Sequence, residues 1–532
     1  MIRNFDKLII KNYKMKNIFS ILVLFLSLNL YSQESDLVWH TDVTKAINIS
    51  MENESESVSK TLEYAYDDWA LAQMAQELGV SEVYKTYIQR AQNYKNVFDP
   101  ETQFMRGRFR NTWFAPFNPH EVNFNYTEAN AWQYSNYVPQ DFSGYINLLG
   151  SKAQFETNLD TLFLAHPETT GRKQADITGL IGQYAHGNEP SHHMAYLYNF
   201  VNKPYKTQEK VHKILTTLYT NSPDGISGNE DCGQMSAWYV FSALGFYPVT
   251  PASNTYIIGK PLFETATIHL ENQNTFSIKS YDLSAANQYI ASVKLNGDFL
   301  ERSFLYHSEI MSGGDLEFFM TNEPSQWATK KGSEPTTSID DFLIVPAPFI
   351  SEGDIAFKTK TAVSLGNVDP KTTLYFKVDD SNYQTYKEPI ELTEAATLHV
   401  YAEKNKVKSS VISTNFTKID PSINIKLETN FANQYNAGGN DALIDGILGT
   451  TDFRTGTWQG YFNEDLVAIV DLGRQKSINL VSINFLKDQR SWIFYPSKVV
   501  CYGSKDGIDF KRIDTFQLES PSPSDEVEIK TI

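Results

Sequence analysis

A glycine-hinged loop, Asp224-Gly225-Ile226-Ser227-Gly228-Asn229-Glu230-Asp231-Cys232-Gly233, runs straight into an apolar stretch, Gln234–Leu244. Trp238, Phe241 and Leu244 recur at three-residue steps. That spacing predicts a short helix with one buried face, stopped by Gly245 and Pro248. A carboxylate at the start of such a helix faces the unpaired amides of its first turn and is held ionised. Asp231 therefore sits where a general base belongs, and equally where an ordinary acidic cap belongs. Asn188 and Glu189, in Gly187-Asn188-Glu189-Pro190-Ser191-His192-His193, offer hard oxygens of the kind Ca²⁺ takes six to eight of. Asn-Glu-Pro is also simply a turn ahead of a helix. Neighbouring His192 and His193 cannot both face one ion from a helix, which argues against a transition-metal pair.

A third stretch, Tyr126-Thr127-Glu128-Ala129-Asn130-Ala131-Trp132-Gln133-Tyr134, joins these two. Together, and in this order over roughly residues 57–330, the blocks resemble the signature of glycoside hydrolase family 92. Its members are calcium-dependent exo-acting α-mannosidases that invert the anomeric centre. An inverting glycosidase needs one carboxylic acid to protonate the leaving oxygen. A carboxylate across the ring activates water, the two lying about 6.5–9.5 Å apart. The resemblance implies Glu128 as the acid and Asp231 as the base, with Glu189 and, more weakly, Asn188 as Ca²⁺ ligands. It also implies sugar contacts from Gln133 and Asn229, the latter standing where many members carry a further acid. For His192 and His193 a sugar hydrogen bond and plain packing both remain open. Glu128 precedes a helical segment whose amides favour the ionised form, whereas an acid must keep its proton. An apolar wall from Trp132 and Tyr126, or neighbouring carboxylates, is needed; otherwise Glu128 is a helix cap. Asp67-Asp68-Trp69 is a tempting acidic pair that reads more simply as the polar end of a helix.

Composition fits a folded, aromatic-rich chain: of 532 residues, 41% are hydrophobic, 13% aromatic and 20% charged. A net charge of −17 argues against a nucleic-acid partner, which would need a basic footprint. Cys232 and Cys501 fall in different predicted domains and are poor disulfide candidates.

Residues 1–32 read as a secretory signal: scattered lysines and an arginine, then an apolar run from Ile18 to Leu30 too short to span a bilayer. Export to the periplasm or the exterior follows, with no stable membrane anchor after cleavage. Val58, Leu62, Ala65, Trp69 and Ala72 form a helical stripe. Gly79 ends that helix, and Ser81 caps a second carrying Tyr84, Tyr87, Ile88, Ala91, Tyr94 and Phe98. Further helices are predicted near 129–137, 151–164, 174–184, 191–201, 205–219 and 233–245. Such hairpins resemble part of an (α/α)6 toroid, which needs about twelve helices where the pattern supplies about eight. The catalytic region is thus taken as 33–330, a partial toroid with a β-rich end over 254–325 and a hairpin turn at Asn296-Gly297. A linker follows at 331–344. Residues 345–420 resemble the immunoglobulin-like β-sandwich of chitobiases and other hexosaminidases, with a spacing role. Residues 421–532 resemble an F5/8 type C (discoidin-like) jelly roll that binds carbohydrate and stops early.

The resemblance implies a β-sandwich and opening hairpins ahead of this toroid, and the expectation is that this chain lacks them. The expectation is a truncated product with exposed apolar helix faces, poor solubility and little activity. The leading reading is an exported exo-α-mannosidase acting on mannose-containing glycans of N-glycan or mannan type, with Ca²⁺. Two alternatives stand beside it: a non-catalytic remnant that binds glycans through its C-terminal module, and a different inverting (α/α)6 glycosidase.

Overall fold

The computed structural model describes residues 50–518 and 526–532, so the predicted signal at 1–32 lies outside the described residues. The helical region contains α1 (Ser57–Glu77), α2 (Ser81–Arg90), α3 (Ala131–Tyr134), α4 (Phe142–Leu149), α5 (Lys152–Leu164), α6 (Pro204–Thr217) and α7 (Gln234–Leu244). The predicted α1 stripe, Val58, Leu62, Ala65, Trp69 and Ala72, is buried throughout. α1 and α2 form the expected antiparallel hairpin over Gly79, whose φ of 72° suits glycine. Ser81 is the first helical residue and does not cap; the N-cap is Val80, without a side-chain bond. Asp68 lies in mid-helix, not at a polar end, and accepts from Arg90 Nε at 2.9 Å, tying the hairpin together inside the protein.

Three predicted helices come out differently. Residues 129–137 supply only α3, entered through an Asn130–Gln133 capping box. Residues 191–201 wind as tighter 3₁₀ turns, Glu189–Ser191 and Met194–Val201, the second buried at every residue. Residues 174–184 are not helical at all. Leu180–Ile181 pairs antiparallel with Tyr184–Ala185 across Gly182, whose φ is 62°. A β-carbon on Gly179 would come within 2.7 Å of Ser227, so this turn lies directly against the 221–233 loop.

One apolar core runs from Val58 through Tyr94, Tyr126, Phe155 and Tyr196 to Trp238. Residues 246–321 add two sheets: a three-stranded one and a five-stranded one in which Thr275–Tyr281 runs parallel to Gly314–Thr321. Asn296 and Gly297 take φ values of 54° and 88° and turn the Tyr289–Leu295 strand back on itself, as expected.

The 331–344 stretch is not a free linker. Glu334 pairs with Lys152 at 2.7 Å, Thr337 O accepts from Ser143 N, and Ile339 is buried with Trp69 and Ile88. Nor is the next module a loose spacer. Two sheets close on one core between Ala347 and Phe416, and the first of them is extended by Arg108–Phe109 and Thr112–Trp113 of the helical region. Buried Arg108 donates to Pro348 O at 2.8 Å, and Asn111 Nδ2 to Thr414 Oγ1 at 2.8 Å.

Residues 421–532 hold three separate two-stranded ladders among the described residues. Large apolar side chains stand in solvent there, including Phe462, Leu480, Trp492 and Ile508, each more than 80% exposed at 81%, 81%, 85% and 82%. The helical stripes are buried in a core that also takes in Tyr247, Ile257 and Phe349 from the β-rich segments, and exposed large apolar side chains are most numerous in this C-terminal module. Among the described residues no helix is long and apolar enough to cross a membrane.

Candidate active site

α7 is capped at both ends by glycines in the left-handed region, Gly233 at φ 92° and Gly245 at φ 98°. Trp238 is buried as predicted, while Phe241 and Leu244 are half-buried against the following sheet. The acidic cap of this helix is Glu230, whose Oε1 accepts from Ser236 N at 3.0 Å. Asp231, at φ 49°, lies next to this cap, and its carboxyl stands beside that of Glu189. Burial pushes the Glu189 carboxyl up, and the Asp231 charge beside it pushes the same way. Two carboxyls in contact cannot both ionise cheaply unless a proton or a cation lies between them.

Glu128 occupies the other wall. Its backbone is left-handed, at φ 51°, between buried Tyr126 and Ala129. Asn188 Nδ2 donates to Glu128 O at 3.1 Å, and Thr127 N donates to Ser59 Oγ at 2.9 Å. Capping of α3 falls to Asn130, so Glu128 is free of the helix amides. Burial, then Asp176, Glu189, Asp231 and Glu56, hold its carboxyl above the usual carboxylate range. Burial contributes first and the neighbouring acids add to it, while the two rings expected to form the wall are engaged elsewhere. Tyr126 donates its hydroxyl to Met105 O at 2.7 Å, and Trp132 packs edge-on against Phe104 at 4.7 Å.

Glu128, Glu189 and Asp231 therefore stand within electrostatic reach of one another. The remaining candidates divide. Asn229 Nδ2 donates to Asp176 Oδ1 at 3.3 Å, so it steadies an acid on the facing turn. Gln133 is buried at 2% exposure, its oxygen accepting from Asn130 N at 3.0 Å, which makes it part of the α3 cap. His192 and His193 are buried behind the site, bonded to His186 O at 2.9 Å and Asn136 O at 2.8 Å. Burial lowers both to about 4, so they are neutral packing residues at neutral pH. Of their two open readings, packing is the one this geometry favours.

Two acids here escaped sequence reasoning. Asp176 was hidden by the helix expected over 174–184; it is held by Gln174 Nε2 at 2.6 Å and faces Glu128 and Glu189. Glu63 lies beside the apolar stripe of α1, where only its neighbour Leu62 was read as buried. Tyr134 OH donates to it at 3.3 Å, and burial pushes its carboxyl up to about 7. A fit for Ca²⁺ can be judged from the donor set alone. Among the described residues no three His, Cys, Asp or Glu side chains gather as a metal cage. Glu189 with Asn188 offers hard oxygen at the point where two carboxyls meet, and an ion there would complete its shell with water and ligand hydroxyls.

The chain is 42% identical to α-mannosidase BT3965 from Bacteroides thetaiotaomicron, solved with mannoimidazole. The match has a TM-score of 0.52 and covers 54% of this chain and 39% of that one. The same enzyme without that ligand aligns at 42% identity and TM-score 0.51, covering 54% and 38%. A protein of Arthroderma benhamiae described as an uncharacterized secreted glycosidase is 28% identical over 308 residues, 53% of this chain and 38% of its own. The chain thus spans about two fifths of the length of these relatives. These likenesses place it among the glycoside hydrolases. More narrowly, the profile of the glycosyl hydrolase family 92 catalytic domain matches residues 32–322, more than half of the chain, and the chain belongs to that family.

Proposed function

We propose that the chain is an exported exo-α-mannosidase that removes terminal mannose from N-glycan or mannan-type glycans by single-step, inverting hydrolysis. The observation that carries this reading is the convergence of Glu128, Glu189 and Asp231 from three separate loops. Burial and the surrounding acids raise the proton affinity of Glu128, which in this reading delivers a proton to the departing oxygen. Asp231, next to the Glu230 cap, takes a proton from the attacking water. Atoms balance: water's oxygen joins the anomeric carbon, the glycosidic bond breaks, and each carboxyl changes protonation once. Ca²⁺ held by Glu189 and Asn188 would supply Lewis-acid anchoring of sugar hydroxyls. Asp176 and Asn229 keep the base loop apposed to the 174–187 turn.

The test is mannose release from an aryl α-mannoside by the purified protein, with and without chelator. Calcium-restorable release supports the reading, and release indifferent to chelator removes the metal from it. A second reading, glycan binding without catalysis through residues 421–532, draws on the exposed rings of Phe462 and Trp492. Mannan binding by a chain that releases no mannose would favour it.

A further inference from the structure

The 421–532 module is joined to the helical region by a small apolar core that lies directly under the acid loop. Phe124 stands at 5.5 Å from both the Tyr435 and the Phe453 rings, and the Arg172 guanidinium covers it at 4.3 Å. Met51, Phe109 and Phe114 complete the cluster. An added β-carbon on Gly456 would meet Met51 Sδ at 3.3 Å, so the backbones approach closely. A polar thread runs alongside. Asn433 Nδ2 donates to Glu121 Oε1 at 2.7 Å, Asn123 Nδ2 donates to Glu121 Oε2 at 3.1 Å, and Asn125 N donates to Asn123 Oδ1 at 3.0 Å. Three residues beyond Asn125 comes Glu128.

The same face carries charge. Arg454 pairs with Asp452 at 2.9 Å and faces Glu54 and Glu56; Lys60 faces Asp452. Glu56 N donates to Phe124 O at 2.6 Å, and Glu56 is one of four acids, with Asp176, Glu189 and Asp231, that face Glu128.

We infer that residues 432–456 buttress the candidate site from beneath: Tyr435 and Phe453, through Phe124, and Asn433, through Glu121, position the loop that carries Glu128. This makes the module a positioning element for catalysis. The part concerning Glu128's chemistry rests on the proposed function; the part concerning the loop does not.

Hydrogen exchange on the full chain tests the loop directly. In Y435A/F453A the amides of 121–128 should exchange about tenfold or more faster, while those of the distant strand Ala396–Lys404 keep wild-type rates. The milder N433A, which removes only the bond to Glu121, should quicken the same segment less. It also serves if the double variant loses its fold and Ala396–Lys404 exchanges as well. Wild-type exchange over 121–128 in both variants would overturn the inference. If E128Q keeps full turnover, the proposed function fails while the exchange result still decides the loop's positioning.

Discussion

The two loops that carry the proposed acid and the proposed base are built in opposite ways. The Glu128 loop is embedded: Tyr126, Ala129, Asn130 and Gln133 around it are buried, and its backbone is pinned by Asn188 and Ser59. The Asp231 loop lies largely in solvent, exposed at Asn221–Asp224, Gly228, Asn229, Asp231 and Cys232. It is held by Glu230 on α7, by Asn229 on Asp176 and by the close approach of Gly228 to Gly187. Folding alone fixes where the acid stands, whereas the base depends on a few contacts that ligand binding can tighten. The side chains of Glu128 and Asp231 are both exposed, so the difference lies in how firmly the backbone beneath each is held.

Changes on the base side test this contrast from the strongest effect down. D231N should lower kcat by about 10²–10⁴-fold, the usual range for a lost general base, whatever the leaving group. Steady-state kinetics over a series of aryl α-mannosides reads this, and near wild-type turnover clears Asp231 of the role.

Next comes the glycine contact. Gly228 sits at φ 100°, and an added β-carbon would lie 2.8 Å from Thr178 Oγ1. G228A should therefore displace the base loop at a cost of about 1–3 kcal/mol, seen as a roughly tenfold or greater fall in kcat/KM. An alanine variant with unchanged kinetics would show that the loop tolerates displacement.

Acid-side burial has its own signature in stability. Glu63 is held at about 7 against an ordinary 4.5, so the folded state binds its proton more tightly than the unfolded chain. Its contribution is complete below about pH 4.5 and is lost as pH rises towards 7. Denaturant unfolding should then show wild type losing more stability than E63Q between those limits; parallel curves would contradict the burial argument.

Smallest is the helix cap. E230A should cost about 1 kcal/mol in unfolding of the helical region, the usual value of a lost N-terminal cap. A cost near zero would return the capping role to another group.

Much of the site was legible because its residues lie in compact blocks, each readable as a loop meeting a helix. Helices over 151–164, 205–219 and 233–245 were recovered to within a residue or two at each end, since their apolar spacing is regular and caps or glycines bound them. The 174–184 stretch misled because Gly179 and Gly182 need left-handed φ and the turn packs on another loop, which periodicity does not record. Asp176 was lost with it. His192, His193 and Gln133 carry polar types that suggest ligand contact, yet each bonds to backbone within the core. Docking of the C-terminal modules was illegible for a related reason. Arg108 with Pro348 and Phe124 with Tyr435 are contacts across hundreds of residues, and nothing local announces them.

The central claim is that Glu128 is the proton donor of a site it shares with Asp231. It is tested most directly by comparing E128Q with the unchanged protein on two aryl α-mannosides, one with a poor leaving group and one, 2,4-dinitrophenolate, that departs without a proton. The account predicts a loss of about 10²-fold or more on the first and near wild-type turnover on the second, with β-mannose as the first product by NMR. Equal losses on both substrates, or none on the first, would contradict it.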